Sequence, residues 1–131
     1  MPYIHIQVSG DADDALGARI ARQAVELTSR ILHKDASLTA VAIDFIPAQR
    51  WFIAGQPLSK GQARSYHWMV SITDETNTKK EKAAYLHAVH AAMGELLGDV
   101  AEHSYAHVAD LRGSAYGYGG RSQEWRYQQP A

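Results

Sequence analysis

The stretch Met1-Pro2-Tyr3-Ile4-His5-Ile6-Gln7-Val8 sets the reading of everything after it. Ile4, Ile6 and Val8 alternate with His5 and Gln7, the period-two pattern of a strand with one face in a core. Pro2 stands where that strand would begin. Inside a sheet a proline costs a ladder hydrogen bond, but at a strand's first residue that cost disappears. The small ring after Met1 also favours removal of the initiator, which leaves the Pro2 nitrogen as a free secondary amine. An α-amine titrates near pH ~8, far below lysine, and burial or a nearby cation lowers it further. Such a group can serve as general base, general acid or nucleophile near neutrality. An ordinary second residue is the plainer account of a bare Met-Pro, so the rest of the chain has to decide.

Working outward, Ser9-Gly10-Asp11 reads as a turn into a helix. Asp11, Asp13 and Asp14 lie where the helix dipole favours anions. Leu16, Ile20, Ala24, Leu27 and Ile31 recur at helical spacing and predict an amphipathic helix over 13–32. A second strand is expected over 38–46, with Val41, Ile43 and Phe45 on one face, and Pro47 ends it. An aromatic stretch, Arg50-Trp51-Phe52-Ile53-Ala54-Gly55, follows. Residues 56–65 read as a linker, and the pattern then starts again. A third strand is expected over 67–72. Thr78 and Glu81 have capping-box spacing, and Leu86, Val89, Met93 and Leu96 form the second stripe before a stop at Gly98. A fourth strand is expected over 104–111, followed by Tyr116-Gly117-Tyr118-Gly119-Gly120.

The chain is therefore expected to be a single α/β domain of two fused β-α-β units, 1–56 and 66–121, with a tail over 122–131. Right-handed crossovers put both helices on one face of a four-stranded sheet. The other face is left bare, and self-association is the ready way to cover it. A length of 131 residues suits one domain. A net charge of −1 leaves no basic footprint for nucleic acid. With no cysteine there is no disulfide, thiolate chemistry or zinc–thiolate site. No leader-like or membrane-spanning apolar run is present, so a cytoplasmic protein with no membrane partner is expected.

These residues resemble the tautomerase superfamily, whose members begin with a catalytic proline and are built from β-α-β units. The resemblance spans essentially the whole chain. Short members such as 4-oxalocrotonate tautomerase carry one unit per subunit. Longer ones, such as macrophage migration inhibitory factor and cis-3-chloroacrylic acid dehalogenase, fuse two units and assemble as trimers. Pro2 leading a strand is one match. Another is Pro47-Ala48-Gln49-Arg50-Trp51-Phe52-Ile53-Ala54-Gly55, similar to the family's loop of proline, variable residues, an aromatic and paired small residues. Asp110-Leu111-Arg112-Gly113-Ser114 and Tyr118-Gly119-Gly120-Arg121 are similar to the dehalogenase-like branch. The resemblance implies a homotrimer of the fused type, with Pro2 as a cofactor-independent catalytic amine.

Departures from that pattern narrow the reading. The dehalogenase's two carboxylate-binding arginines fall on Thr73 and Thr76, and its water-activating glutamate on Tyr118. Its fourth-strand tyrosine falls on His107, and its helix histidine near Thr28 or Ser29. The second-strand arginine of 4-oxalocrotonate tautomerase falls on Ala42. Tyr105 resembles the active-site tyrosine of macrophage migration inhibitory factor. The expected activity is keto–enol tautomerisation of a small 2-keto or 2-hydroxydienoic acid. Two alternatives stand beside it. One is a Pro2-dependent hydratase, decarboxylase or dehalogenase, with Asp110 or Glu124 activating water. The other is a non-catalytic trimeric binding protein.

An anionic substrate calls for a cation. Arg50, Arg112 and Arg121 lie in or beside the aromatic and glycine-rich loops, although a lone arginine is ordinarily a solvated surface charge. Trp51 and Phe52 are candidate apolar walls for Pro2, or plain core residues. Tyr118 is a further substrate-binding candidate. Tyr105 and His107 share one strand face and could both donate to a substrate oxygen, or His107 could be a packed histidine. His87 and His90, three apart on the second helix, lack acidic or cysteine partners, so no metal is expected. The run 116–120 is not read as a phosphate loop, because no helix is expected after it. The tail is expected to pack across a neighbouring subunit or to fray.

Overall fold

The computed structural model describes residues 1–59 and 63–130. Strand β1 (Tyr3–Ser9), helix α1 (Asp14–Leu32) and strand β2 (Ala40–Ile46) form the first unit, with β1 and β2 parallel. A small hairpin of β3 (Phe52–Ile53) and β4 (Gln56–Pro57) follows. Strand β5 (Tyr66–Thr73), helix α2 (Lys79–Leu97) and strand β6 (Tyr105–Leu111) repeat the motif, again with parallel strands. The described chain closes with a hairpin of β7 (Gly117–Tyr118) and β8 (Arg121–Ser122) and a short helix α3 (Gln123–Tyr127). The main sheet runs β2-β1-β5-β6, the two units meeting where β1 and β5 pair antiparallel.

Local chemistry accounts for the boundaries. The Asp13 side chain caps α1 by accepting from Leu16 N, and α2 opens on a complete Thr78/Glu81 capping box. Gly98, at φ 85°, closes α2 in a conformation that a side chain would resist. The second strand starts at Ala40 rather than 38, because Ala36–Leu38 forms a 3₁₀ turn whose Asp35 side chain accepts from Ser37 N at 2.9 Å. The expected linker starts later than read, since Gln56 and Pro57 already pair with Ile53 and Phe52. Residues 60–62 of it lie outside the described residues.

Both helices pack on one sheet face. Ile4, Ile6 and Val8 of β1 and Trp68, Val70 and Ile72 of β5 are all fully buried there, against Leu16, Ile20, Ala24 and Leu27 of α1 and Val89 and Met93 of α2. Leu86 is a correction. It lies at the surface, and its neighbour Tyr85 takes the core position. Tyr85 is held there because Trp68 Nε1 donates to its hydroxyl at 3.0 Å, and that hydroxyl pairs with Thr28 at 2.8 Å. One buried oxygen thereby ties α1, α2 and β5 together, each polar group satisfied as burial demands. Thr28, near the position of the dehalogenase's helix histidine, belongs to this core and not to a site.

Among the described residues no helix covers the opposite face. His5 pairs with Asp44 at 2.8 Å across β1 and β2. His67 Nδ1 meets Gln7 Oε1 at 3.2 Å, and His67 Nε2 meets His107 Nδ1 at 3.4 Å. Among the described residues no helix is long and apolar enough to cross a membrane.

Candidate functional site

Pro2 is buried at the head of β1, where its carbonyl accepts from Ala40 N at 3.2 Å and no donor of its own is missed. The register brings Tyr3 opposite Ser71, so this end of β1 lies beside the carboxyl ends of β5 and β6. A cavity of about 1270 Å³ opens there. Met1, the turn Thr73–Thr76, Arg112 and Tyr118 line it, together with the inner side of α3.

Three features surround the Met1 end of the cavity. The first is Lys34, which the sequence reading passed over. His33 ends α1 in the left-handed conformation, at φ 59°, and turns the chain toward the β5–α2 loop. Lys34 Nζ then donates to Thr76 Oγ1 at 2.8 Å, and that hydroxyl donates to the Thr73 carbonyl at 2.6 Å. A cation therefore reaches Thr73 and Thr76, the two positions where the dehalogenase pattern has arginines. Burial holds the Lys34 ammonium below its ordinary pKa, while Glu81 and Asp110 work the other way. The amine at Met1 is likewise held below 8.0, chiefly by burial, then by Lys34, with Asp35 opposing.

The second feature is Tyr116, half-buried at the foot of the β7–β8 hairpin. Its hydroxyl donates to the Met1 carbonyl in a short hydrogen bond and also lies 3.0 Å from the Ser71 carbonyl. Burial raises its pKa, so the phenol keeps its proton at neutral pH.

The third is the segment after β6. A helix does follow the glycine-rich run, contrary to expectation, and takes up residues 123–127 of the tail. The Ser122 side chain caps α3 by accepting from Trp125 N at 3.0 Å, but five residues are too few for periodicity to show. Arg126 stacks on the Tyr118 ring at 3.7 Å and donates to the Tyr118 carbonyl at 2.9 Å. Arg121 stacks on Trp125 at 4.2 Å. These cation–π contacts hold the segment together, and it lines the cavity together with Met1 and the turn Thr73–Thr76.

The expected site residues thus divide. Arg112 and Tyr118 line the cavity with Met1, and Arg121 braces its wall through Trp125. Arg50, Trp51 and Phe52 follow the far end of β2, since Ala40 pairs with Tyr3 and Ile46 with Ser9. Tyr105 sits opposite His67 and His107 opposite Met69, toward that same far end. Within one chain neither group meets Pro2. Phe52, in the β3–β4 hairpin that follows β2, and Tyr105, on the edge strand β6, are 58% and 67% exposed. Asp110 is engaged by Lys82 at 2.6 Å, whereas Glu124 lines the cavity. His90 Nδ1 is bonded to the Tyr66 hydroxyl at 2.9 Å, and burial pushes that phenol up to about 12.

Comparison of the fold with solved structures places it. The chain is similar to Pt0534 inactivated by 2-oxo-3-pentynoate, with a TM-score of 0.82 and 15% identity over 95% of this chain and 98% of that one. It is also similar to a fused 4-OT wild-type symmetric trimer, with a TM-score of 0.79 and 17% identity over 93% and 98%. The fold is the tautomerase fold. N1, a member of the cis-3-chloroacrylic acid dehalogenase family, shares the same tautomerase fold, with a TM-score of 0.73 and 20% identity over 96% of this chain and 92% of that one. The coverage is nearly complete in both directions, so the two-unit, fused form of the tautomerase fold is what matches. No family model matches the chain, and no curated protein matches it by sequence.

Proposed function

We propose that this chain is a cofactor-independent keto–enol tautomerase of small 2-keto or 2-hydroxydienoic acids, working as a homotrimer through the Pro2 amine once Met1 is removed. The observation that carries the reading is the setting of the terminal amine. Pro2 is buried beside the Met1 end of the cavity, and the amine at Met1 is held below its ordinary value by burial and by the Lys34 ammonium, the same two influences an amine at Pro2 would meet. A base tuned toward neutrality is what proton abstraction beside a carbonyl needs. Two of the fold neighbours support the chemistry and the assembly, one inactivated by a 2-oxo acid and the other a symmetric trimer.

In this reading the Pro2 nitrogen takes a proton from the carbon beside the substrate carbonyl. The electron pair moves into a carbon–carbon double bond, and the carbonyl oxygen becomes an enolate. The proton returns to oxygen or to another carbon. Lys34 and Arg112 hold the carboxylate, with Tyr118 and Arg121 shaping the wall. Neighbouring copies, seated on the bare sheet face and edges, bring Arg50, Trp51, Phe52, Tyr105 and His107 to the site from the far end of their own sheets. The exposure of Phe52 and Tyr105 favours that arrangement over a solvated role for either.

The presence of Glu124 in the cavity favours one second reading, in which the carboxylate activates water for hydration of an unsaturated acid. One experiment separates the two. Intact mass establishes whether Pro2 is the first residue, and phenylenolpyruvate ketonisation is then measured on the same sample. Pro2→Ala should lower ketonisation by orders of magnitude. Unchanged turnover in that variant removes Pro2 from the mechanism, and a processed protein without ketonisation shifts the assignment to hydration or binding.

A further inference from the structure

Building on the Pro2 reading, we infer that Tyr116 is a catalytic residue, whose hydroxyl donates a hydrogen bond to the substrate's carbonyl oxygen as the enolate forms. The Met1 carbonyl supplies the geometry. Its carbon is bonded to the Pro2 nitrogen, so with Met1 removed that carbonyl group vacates the space directly in front of the amine. A substrate whose proton-bearing carbon meets Pro2 sets its carbonyl one bond farther out, in the region that the Met1 carbonyl leaves open. The group that now holds the Met1 oxygen is the Tyr116 hydroxyl.

Its position is fixed independently of Met1. The Ser71 carbonyl lies 3.0 Å from the hydroxyl on β5, and the Tyr116 carbonyl accepts from Gln123 N at 2.7 Å. With Met1 removed the single hydroxyl proton rests on the Ser71 carbonyl, which keeps the oxygen in place, and rotation of the O–H turns that proton to the substrate oxygen once developing negative charge makes it the stronger acceptor. The phenol also keeps its proton at neutral pH, because burial raises its pKa. Base and donor thus face one carbonyl from two directions. Pro2 takes the carbon-bound proton, and the electron pair flows toward the oxygen that Tyr116 holds. The tyrosine keeps its own proton, which completes the balance when Pro2 returns the abstracted one.

The test is Tyr116→Phe beside Pro2→Ala, both confirmed by intact mass to lack Met1 and by melting to remain folded. Phenylenolpyruvate ketonisation serves as the assay. Loss of one donor to a developing oxyanion lowers kcat by about 10²-fold, with KM changed far less. A fluorinated tyrosine at position 116 keeps the ring and has a more acidic phenol. It should move the alkaline limb of the kcat profile to lower pH, which a packing role would not do. A Tyr116→Phe enzyme with unchanged kcat, or a fluorotyrosine enzyme with an unmoved alkaline limb, overturns the inference while the Pro2 reading stands. If Pro2→Ala is itself unimpaired, the reading beneath it fails, and the inference with it.

Discussion

Replacing Lys34 by glutamine removes the ammonium that neighbours the terminal amine and donates to Thr76. Two effects are expected. The carboxylate loses a charge-assisted hydrogen bond, so KM rises by about 10- to 100-fold. An amine at Pro2 loses the cation that lowers the Met1 amine in this structure, so it should stay protonated to higher pH and move the acidic limb of kcat/KM upward. Steady-state kinetics across pH on the processed protein check both. Spacing alone did not single out Lys34, because its role depends on the left-handed turn at His33 and on a threonine from the other unit. In the sequence Tyr116 is one residue of a glycine-rich run, but its grip on the Met1 carbonyl spans nearly the length of the chain. Pro2 was legible because proline's missing N–H restricts where it can sit, and a restriction of that kind acts within the residue itself.

At the level of elements, the β7–β8 hairpin is the piece on which the cavity wall hangs. Gly117 is indispensable to it, since a Cβ there would lie 1.9 Å from the Arg121 carbonyl oxygen. That obstruction is backbone and cannot swing away. Gly117→Ala should open the hairpin, free Tyr118 from Arg126 and expose the segment after β6 to protease, while the main sheet survives. Limited proteolysis with mass mapping checks this, and cleavage confined to residues beyond 111 is the expected pattern. The four long strands and two long helices were legible from periodicity, because each buries a regular stripe against the same core. The hairpins and α3 were not, since two-residue strands and a five-residue helix are too short to carry a period. Leu86 and Tyr85 show the same limit inside a long helix. Both fit an apolar stripe, and the choice fell to the residue whose hydroxyl could satisfy Trp68 and Thr28.

For the molecule as a whole, the bare sheet face makes stability depend on pH. His67 lies between Gln7 and His107, and its pKa is held below 6.5 by burial first, then by His107 and His5. His5 is offset by Asp44, and Tyr105 stands opposite His67 on β6. An unfolded chain binds the His67 proton more readily than the folded one. The favourable contribution is therefore complete above 6.5 and falls away as pH drops below it. Melting temperatures should decline as pH falls below 6.5, and His67→Gln should flatten that decline. A wild-type melting curve that does not respond to pH in this window would remove the histidine face as its source.

The sequence by itself determined the repeat, the order of the long elements, the burial of alternating residues and the placement of a proline at the head of the first strand. Each follows from physical rules that act over a few residues. Tertiary structure alone decided which polar groups surround that proline. Parallel pairing within each unit and antiparallel pairing between them set Arg112, Thr76 and Tyr116 beside the start of β1, and sent Phe52 and Tyr105 to its far end. Register carries that outcome, and register is a property of strands already paired.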